Sequence, residues 1–324
     1  MNTEDLENAI FSDSNDHFET LALNVFKFQY KHCIVYKDFC DHIGVSAPSR
    51  IEEIPFLPIS FFKSHKILAK GFDPKLTFKS SGTTGQSRSK HFLAKPNIYQ
   101  RSFRSAFESL MGQIKGNVCL ALLPNYVEQG NSSLVYMVTH LIKDSQNDLS
   151  GFYLNDYQKM LEVIETAKKK NLKVFLFGVS YALLDLAENK VDLSEVFVIE
   201  TGGMKGRRKE MIREELHEEL KQGLNVTNIY SEYGMTELLS QAYLQEDGFF
   251  HSPHWMKIMI RDVNDALSFL PDGKTGGVNV IDLANLYSCS FIATDDLGVK
   301  SKDFFKILGR FDLSDIRGCN LLIN

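Results

Sequence analysis

From about residue 76 the chain alternates short β-branched or aromatic runs with longer runs of helical periodicity, and this pattern restricts the fold more than any other feature. Candidate strands are LTFKS (76–80), NVCLALL (117–123), LKVFLFGV (172–179), EVFVIETGG (195–203) and NVTNIYSEYG (225–234). Helical periodicity fills NIYQRSFRSAFESLMG (97–112), DYQKMLEVIETAKKK (156–170) and RRKEMIREELHEELK (207–221). A strand, a helix and another strand in succession favour parallel βαβ units, so an α/β fold is expected. The C-terminal portion changes character, with Gly-rich turns such as PDGKTGGVNV (271–280) predicting an antiparallel β subdomain.

Upstream, residues 4–43 place Leu6, Ile10, Leu21, Leu23, Val25, Phe26 and Phe28 among charges at helical spacing, as amphipathic helices capping a larger body would. The Pro-punctuated connector SAPSRIEEIPFLPISFFKSHKIL (46–68) is expected to run as extended, surface-hugging chain, because proline lacks a ladder donor and restricts its predecessor. No internal repeat or flexible linker divides the sequence. The 324 residues are read as one composite domain: a helical cap and connector over 1–75, an α/β core over 76–235, and a β-rich subdomain with a short tail over 236–324.

Charge and cysteine usage narrow the function. With 36 Lys+Arg against 41 Asp+Glu the net charge is −5, which excludes a global basic field for nucleic acid or acidic lipid. Cys33, Cys40, Cys119, Cys289 and Cys319 are odd in number and form no CxxC pair, so neither a disulfide framework nor a zinc ribbon is indicated. Cys33, Cys40 and His42 read as packing residues of an amphipathic helix rather than metal ligands. The acidic N-terminus lacks a basic, then apolar leader, and no window reaches the ~18 apolar residues of a membrane span, which places the protein in the cytoplasm.

The strongest local signal is Ser80-Ser81-Gly82-Thr83-Thr84-Gly85-Gln86-Ser87-Arg88, directly after a candidate strand. Small residues whose amides can face one point, with hydroxyls and a cation close behind, suit a polyphosphate; the competing reading is a polar surface turn. It is no Walker loop, since Ser87 stands where that motif needs its second glycine. Further along come Tyr230-Ser-Glu-Tyr233-Gly234-Met-Thr236-Glu237, then Thr294-Asp295-Asp296, then Leu308-Gly309-Arg310-Phe-Asp312. In this order the segments resemble the motifs of the adenylate-forming superfamily of acyl- and aryl-CoA ligases, luciferases and peptide-synthetase adenylation domains. Departures are Ser87 for a proline, Arg88 for a lysine and Asp295 for a glycine.

Within that superfamily the chain resembles the acyl-protein synthetases most. The likeness lies in Pro58-Ile-Ser-Phe61-Phe62-Lys63-Ser64-His65 and in the ending from Gly309 to Cys319, and spans about residue 50 onward. The resemblance implies the large domain of the adenylate-forming fold, stacked βαβ layers plus a small β subdomain, with the C-terminal lid domain largely absent. It implies ATP-dependent activation of a carboxylic acid, a fatty acid, to acyl-AMP, then transfer to a protein thiol. Transfer to CoA or a carrier protein, and a non-catalytic nucleotide-binding scaffold, are the alternatives. An acyl-accepting reductase or carrier is the implied partner.

Residue by residue, the resemblance assigns the β- and γ-phosphates to Ser81, Gly82, Thr83, Thr84 and Gly85, with Arg88 screening charge. It sets Thr236 against the α-phosphate, Glu237 on Mg2+, Asp296 on the ribose hydroxyls with Arg310 beside it, and the adenine between Gly202, Gly203, Tyr233 and Gly234. Cys319 becomes the acylated thiol. Bland readings stand beside these: Glu237 as a first-turn carboxylate of a helix begun by ELLSQAYL, Asp295-Asp296 as a turn, Arg310 as a surface charge, Cys319 as a core thiol. Thr201-Gly-Gly-Met-Lys-Gly206 misses the dinucleotide fingerprint by its first glycine. Gly178-Val-Ser180-Tyr-Ala182 mimics a hydrolase elbow but ends in Ala, and nothing selects Asp262, His251 or His254 as its partners. The apolar run SLVYMVTHLI (133–142) fits a core helix better than the lining of an acyl tunnel.

Overall fold

The computed structural model describes residues 3–12, 17–81, 87–123, 130–202 and 211–311. The N-terminal portion holds α1 (Thr3–Ile10), α2 (Phe18–His32), α3 (Ile34–Ile43), β1 (Leu57–Pro58) and α4 (Phe61–Ser64). There follow β2 (Leu76–Lys79), β3 (Lys90–Leu93), α5 (Pro96–Leu110), β4 (Val118–Leu122), α6 (Ser133–Ser145), β5 (Gly151–Phe152), α7 (Tyr157–Lys169), β6 (Val174–Val179), α8 (Ser180–Ala187), β7 (Val196–Thr201), α9 (Arg213–Leu224) and β8 (Ile229–Tyr233). The β-rich end contains β9 (Ala242–Leu244), β10 (Phe250–His251), β11 (Met256–Arg261), β12 (Thr275–Asp282), β13 (Phe291–Ser301) and β14 (Phe304–Arg310).

Local chemistry explains the helix ends. Pro96 occupies the first turn of α5, where no donor is needed. Ser132 and Asp156 cap α6 and α7 by accepting from Val135 N and Lys159 N. Every residue of β4 and β6 is buried, as central parallel strands demand.

The α/β class is borne out, with parallel and antiparallel portions joined in one twelve-stranded sheet. Its path is β5-β4-β6-β7-β8-β9-β10-β14-β13-β12-β11, with β1 beside β13. Pairing is parallel from β5 to β8 and antiparallel from β8 onward. The carboxyl end of β8 therefore lies where the connectivity changes, the place where open α/β sheets leave a crevice.

Two expectations need correction. LTFKS does not open a βαβ unit: β2 pairs antiparallel with β3 in a separate two-stranded sheet, the two arms of a hairpin. The strand KHFL, with His91 and Leu93 turned inward, is the missed partner. The connector is partly extended as expected but is not surface-hugging, because Ile51, Ile54, Leu57, Phe62 and Ile67 are buried. Its β1 runs parallel to β13 at Leu57↔Ile292, an edge open because β14 pairs with β13 only from Asp296 onward. Pro58 lies at the end of this short edge strand, where no ladder donor is required. The run at 133–142 is the buried face of α6, a core helix. In the helical cap Cys33 and Cys40 point into the core while His42 is exposed, so the three do not converge.

Candidate functional site

Strand β8 alternates, turning Ile229, Ser231 and Tyr233 inward. The Tyr233 hydroxyl donates to Asp296 Oδ2 at 2.8 Å, and Arg310 Nε donates to Asp296 Oδ1 at 3.2 Å. The pair arises from register, since Asp296 and Arg310 are opposed across β13 and β14. Alternation along β13 buries Thr294 and Asp296 and exposes Asp295. Thr294 Oγ1 accepts from the Asp296 amide and donates to the Val278 carbonyl, which fixes the segment. The Arg310 side chain is 78% exposed against 8% for Asp296, so its remaining N–H groups face outward from a seated carboxylate. Burial pushes the Tyr233 hydroxyl well above its usual range and the Asp296 charge adds to this, so the phenol stays a donor. Asp295-Asp296 is thus strand rather than turn, and Arg310 is a paired charge.

Beyond β8 the chain passes Gly234, where a Cβ would lie 2.1 Å from Glu232 Oε1. Thr236 and Glu237 form the following turn, and the next regular element is β9, which removes the helical reading of Glu237. Four tethers hold this turn. His91 Nδ1 meets the Thr236 carbonyl at 2.8 Å and Asn285 Nδ2 donates to the Glu237 carbonyl at 2.8 Å. The amides of Leu239 and Ser240 donate to Asp282 Oδ2 at 2.7 and 3.0 Å. Asp282 Oδ1 accepts from Ser240 Oγ and Ala284 N, and burial still pushes this carboxyl up to about 6. Glu237 itself is 5% exposed. Burial raises its carboxyl; a hydrogen bond from Ser89 and the charges of Arg310 and Lys63 pull it back.

The residues flanking the hairpin loop reach the same region, since Ser89 contacts Glu237. The neck of the loop is closed by Ser80 N to Ser89 O and Ser89 N to Ser80 Oγ, and Ser87 Oγ donates to the Lys63 carbonyl in α4. Ser81 and Arg88 are exposed. Gly82, Thr83, Thr84, Gly85, Gly203 and Cys319 lie outside the described residues. Gly202 is exposed at the carboxyl end of β7 in the left-handed region, φ +76°, which glycine adopts without strain. Its carbonyl accepts from Ser180 Oγ at 2.8 Å. Ser180 is buried and opens α8, and its one hydroxyl proton is shared between the Gly202 carbonyl and Glu200, so its hydroxyl is committed to structure and the elbow reading falls away.

Sequence reasoning missed His91, Ser89, Asp282, Asn285 and Arg213. Arg213 stacks on Phe250 with 4.8 Å to the ring centroid, donates to the Ile307 carbonyl, and sets its charge toward Glu200 and Asp296. Each is a single polar residue without a local motif, so no pattern pointed to it.

Under the Gly202 and Tyr233 ends lie two acidic side chains. Glu200 accepts from Ser180 and Ser231; Glu232 accepts from Thr201 Oγ1 at 2.6 Å. Burial chiefly, with the Glu200 charge added, pushes the Glu232 carboxyl up to about 7. A raised acid binds its proton more tightly in the folded chain, so its contribution is full below the ordinary glutamate range and is lost as pH rises through about 7. Thermal unfolding followed from pH 5 to 8 should show the native protein losing more stability than Glu232→Gln. Parallel profiles would remove this assignment.

The twelve-stranded sheet with its parallel-to-antiparallel switch has the fold of the large domain of adenylate-forming ligases. A 2-hydroxyisobutyryl-CoA ligase solved in an open conformation with 2-HIB-AMP and CoA shares the fold at a TM-score of 0.63, with 10% identity over 93% of this chain and 79% of that one. ATP-bound MatB from Rhodopseudomonas palustris aligns at 0.54, with 16% identity over 75% of this chain, which spans about half, 49%, of the MatB length. The chain belongs to the acyl-protein synthetase family LuxE, whose family model matches residues 8–324. A long-chain-fatty-acid–luciferin-component ligase of Aliivibrio fischeri is 22% identical over 312 residues, covering 89% of this chain and 80% of the relative. A ligase of the same description from Photorhabdus luminescens is 36% identical over 67 residues, 20% of this chain and 58% of the relative.

Proposed function

We propose that this chain activates a fatty acid with ATP and passes the acyl group to a protein thiol. First a carboxylate oxygen attacks the α-phosphorus, pyrophosphate leaves and acyl-AMP forms; then a thiolate sulfur attacks the acyl carbon and AMP leaves. One observation carries this reading: the Arg310 charge acts on both Asp296 and Glu237, so a ribose-type acceptor and a phosphate-facing carboxylate share one cationic neighbour.

In this reading Asp296 accepts from the ribose hydroxyls, while Tyr233, Gly202, Gly203 and Gly234 frame the adenine. Ser81, Gly82, Thr83, Thr84 and Gly85 hold the β- and γ-phosphates, with Arg88 beside them. Thr236 faces the α-phosphate. Glu237 suits Mg2+ because a buried carboxylate, raised by desolvation, is stabilised by a hard cation. No group of three metal-binding side chains occurs among the described residues, so one carboxylate plus phosphate oxygens and water is the fitting donor set. When bound, Mg2+ draws charge from the phosphate oxygens. The helical cap, α/β core and β-rich subdomain act as one adenylating unit, and the acyl group leaves for a reductase or carrier protein. No described helix is long and apolar enough to cross a membrane, and we place the reaction in the cytoplasm.

The decisive assay is exchange of labelled pyrophosphate into ATP. Exchange that depends on a long-chain fatty acid is expected; its absence with all acids tried would leave a nucleotide-binding scaffold. Asp296→Asn should raise the ATP requirement by roughly 10- to 10²-fold, the scale of a hydrogen bond to a charged group, and Asp295→Asn by about twofold or less. The reverse ranking would shift the ribose contact by one residue.

A further inference from the structure

We infer that His91 is a positioning residue that locks the Thr236–Glu237 turn to the hairpin bearing the small-residue loop, its Nδ1–H donating to the Thr236 carbonyl. The inference rests on the adenylation reading for its catalytic consequence, but the contact itself stands on geometry. His91 lies in β3, a few residues after the loop at 80–88, and is fully buried. Its Nδ1 lies 2.8 Å from the oxygen of Thr236, 145 residues away in sequence. A carbonyl oxygen only accepts, so the shared proton sits on Nδ1 and the ring is the Nδ1–H tautomer.

Two residues earlier, on the same face, Ser89 is buried and its side chain draws the Glu237 carboxyl down. The strand leaving the loop therefore grips consecutive residues of the turn, one by its carbonyl and one by its side chain. From the opposite side Asn285 holds the Glu237 carbonyl. The turn and the strand that follows the loop are thereby held in one register, and a shift of β3 carries the turn with it.

The other ring nitrogen argues that this is not packing alone. His91 Nε2 is buried and has no hydrogen-bond partner among the described residues. Leaving a buried polar atom unpaired costs about 1–3 kcal/mol, whereas an apolar ring edge-on to Phe62, as His91 is at 5.6 Å, would carry no such cost. What histidine offers over phenylalanine is the Nδ1 donor. Burial also pushes the ring down to about 4, so it stays neutral around the carbonyl.

The test uses three variants of the full chain. His91→Phe keeps a planar ring, somewhat larger than imidazole, and loses the donor; His91→Asn keeps a donor near the Nδ1 position and loses volume; His91→Gln moves its amide toward the Nε2 position. Expected stability order is Phe above Asn, because the smaller residue leaves a cavity. Expected activity order is the opposite: pyrophosphate exchange at saturating ATP falls by about 10²-fold in His91→Phe and His91→Gln, the scale of a small misplacement at a reacting centre, while His91→Asn stays within about fivefold. The KM for ATP should move less than the rate at saturating ATP, since the groups displaced, Thr236 facing the α-phosphate and Glu237 suited to Mg2+, act at the reacting phosphorus. Activity that follows stability would make His91 a packing residue and overturn the inference. Nitrogen-15 NMR of the ring at pH 7 supplies an independent readout: protonated Nδ1 with bare Nε2 is expected, and the reverse tautomer overturns the inference even if the native protein shows no exchange at all. Absent exchange in the native protein with the Nδ1–H tautomer present would instead count against the adenylation reading alone.

Discussion

Glu237→Gln lowers acid-dependent exchange of pyrophosphate into ATP by at least about 10²-fold and leaves the melting temperature unchanged or higher. The two halves of this expectation have separate causes. Glutamine has the shape of glutamate and can still accept from Ser89, so the turn keeps its hydrogen bond. Burial is the largest influence on the Glu237 carboxyl and disfavours its charge, so a neutral amide is no harder to enclose than the carboxylate. Apart from the Ser89 contact, which glutamine keeps, the tethers of the turn do not involve the Glu237 side chain, since His91, Asn285 and Asp282 bind main-chain groups of residues 236, 237, 239 and 240 and the Ser240 hydroxyl. What disappears is a full negative charge beside the phosphate site. If Glu237 holds Mg2+ as proposed, the cation would lose its protein ligand, and the charge developing on phosphate oxygens during carboxylate attack would be less well countered. Near-normal exchange in this variant would assign the metal elsewhere; a large fall in melting temperature with little change in rate would make Glu237 a structural carboxylate.

The parts of this site that could be read in the sequence are those whose residues are neighbours along the chain. Tyr233, Gly234, Thr236 and Glu237 lie within one strand end and its turn, and the pair Thr294 and Asp296 shares a face because strands have a period of two. The same period separates Asp296 from Asp295, one buried and the other exposed, which spacing alone could not decide without knowing which face of β13 met the core. The Arg310 partnership was legible only as a motif; its physical basis, opposition across β13 and β14, is a matter of register. His91, Asp282 and Asn285 were illegible because a lone polar residue carries no period and no composition signal, and its partner is selected by chain folding over 145, 43 and 48 positions. The burial of the connector was missed for a related reason. Proline correctly predicted extended chain, but the edge of β13 that draws β1 inward exists only because of where β14 begins to pair.

Cys319→Ser should abolish stable thioester labelling of the chain by ATP and labelled fatty acid while preserving pyrophosphate exchange. The structure strengthens this expectation by what it does to the other thiols. Of the five cysteines in the sequence, Cys33, Cys40, Cys119 and Cys289 are all buried. Burial pushes Cys33 up to about 11 and Cys40 up to about 12, and raises Cys119 and Cys289 strongly as well. The attacking species in acyl transfer is the thiolate, so a thiol held protonated inside the core neither ionises near neutral pH nor reaches an acyl-adenylate. Cys319 lies outside the described residues, eight positions beyond Phe311, and a fully extended run of that length spans at most about 29 Å from the strand that presents Arg310. Arg317, two residues before it, supplies a nearby cation of the kind that lowers a thiol pKa. A serine hydroxyl near neutral pH is a far weaker nucleophile, and any ester it formed would resist neutral hydroxylamine, which cleaves thioesters, so the two products are chemically distinguishable. The first half-reaction requires no thiol, so exchange in the variant should remain within about twofold of the native rate. Label that survives in Cys319→Ser and is released by neutral hydroxylamine would move the acceptor to one of the four core thiols and require the core to open during turnover; loss of label together with loss of exchange would make Cys319 part of the adenylating site.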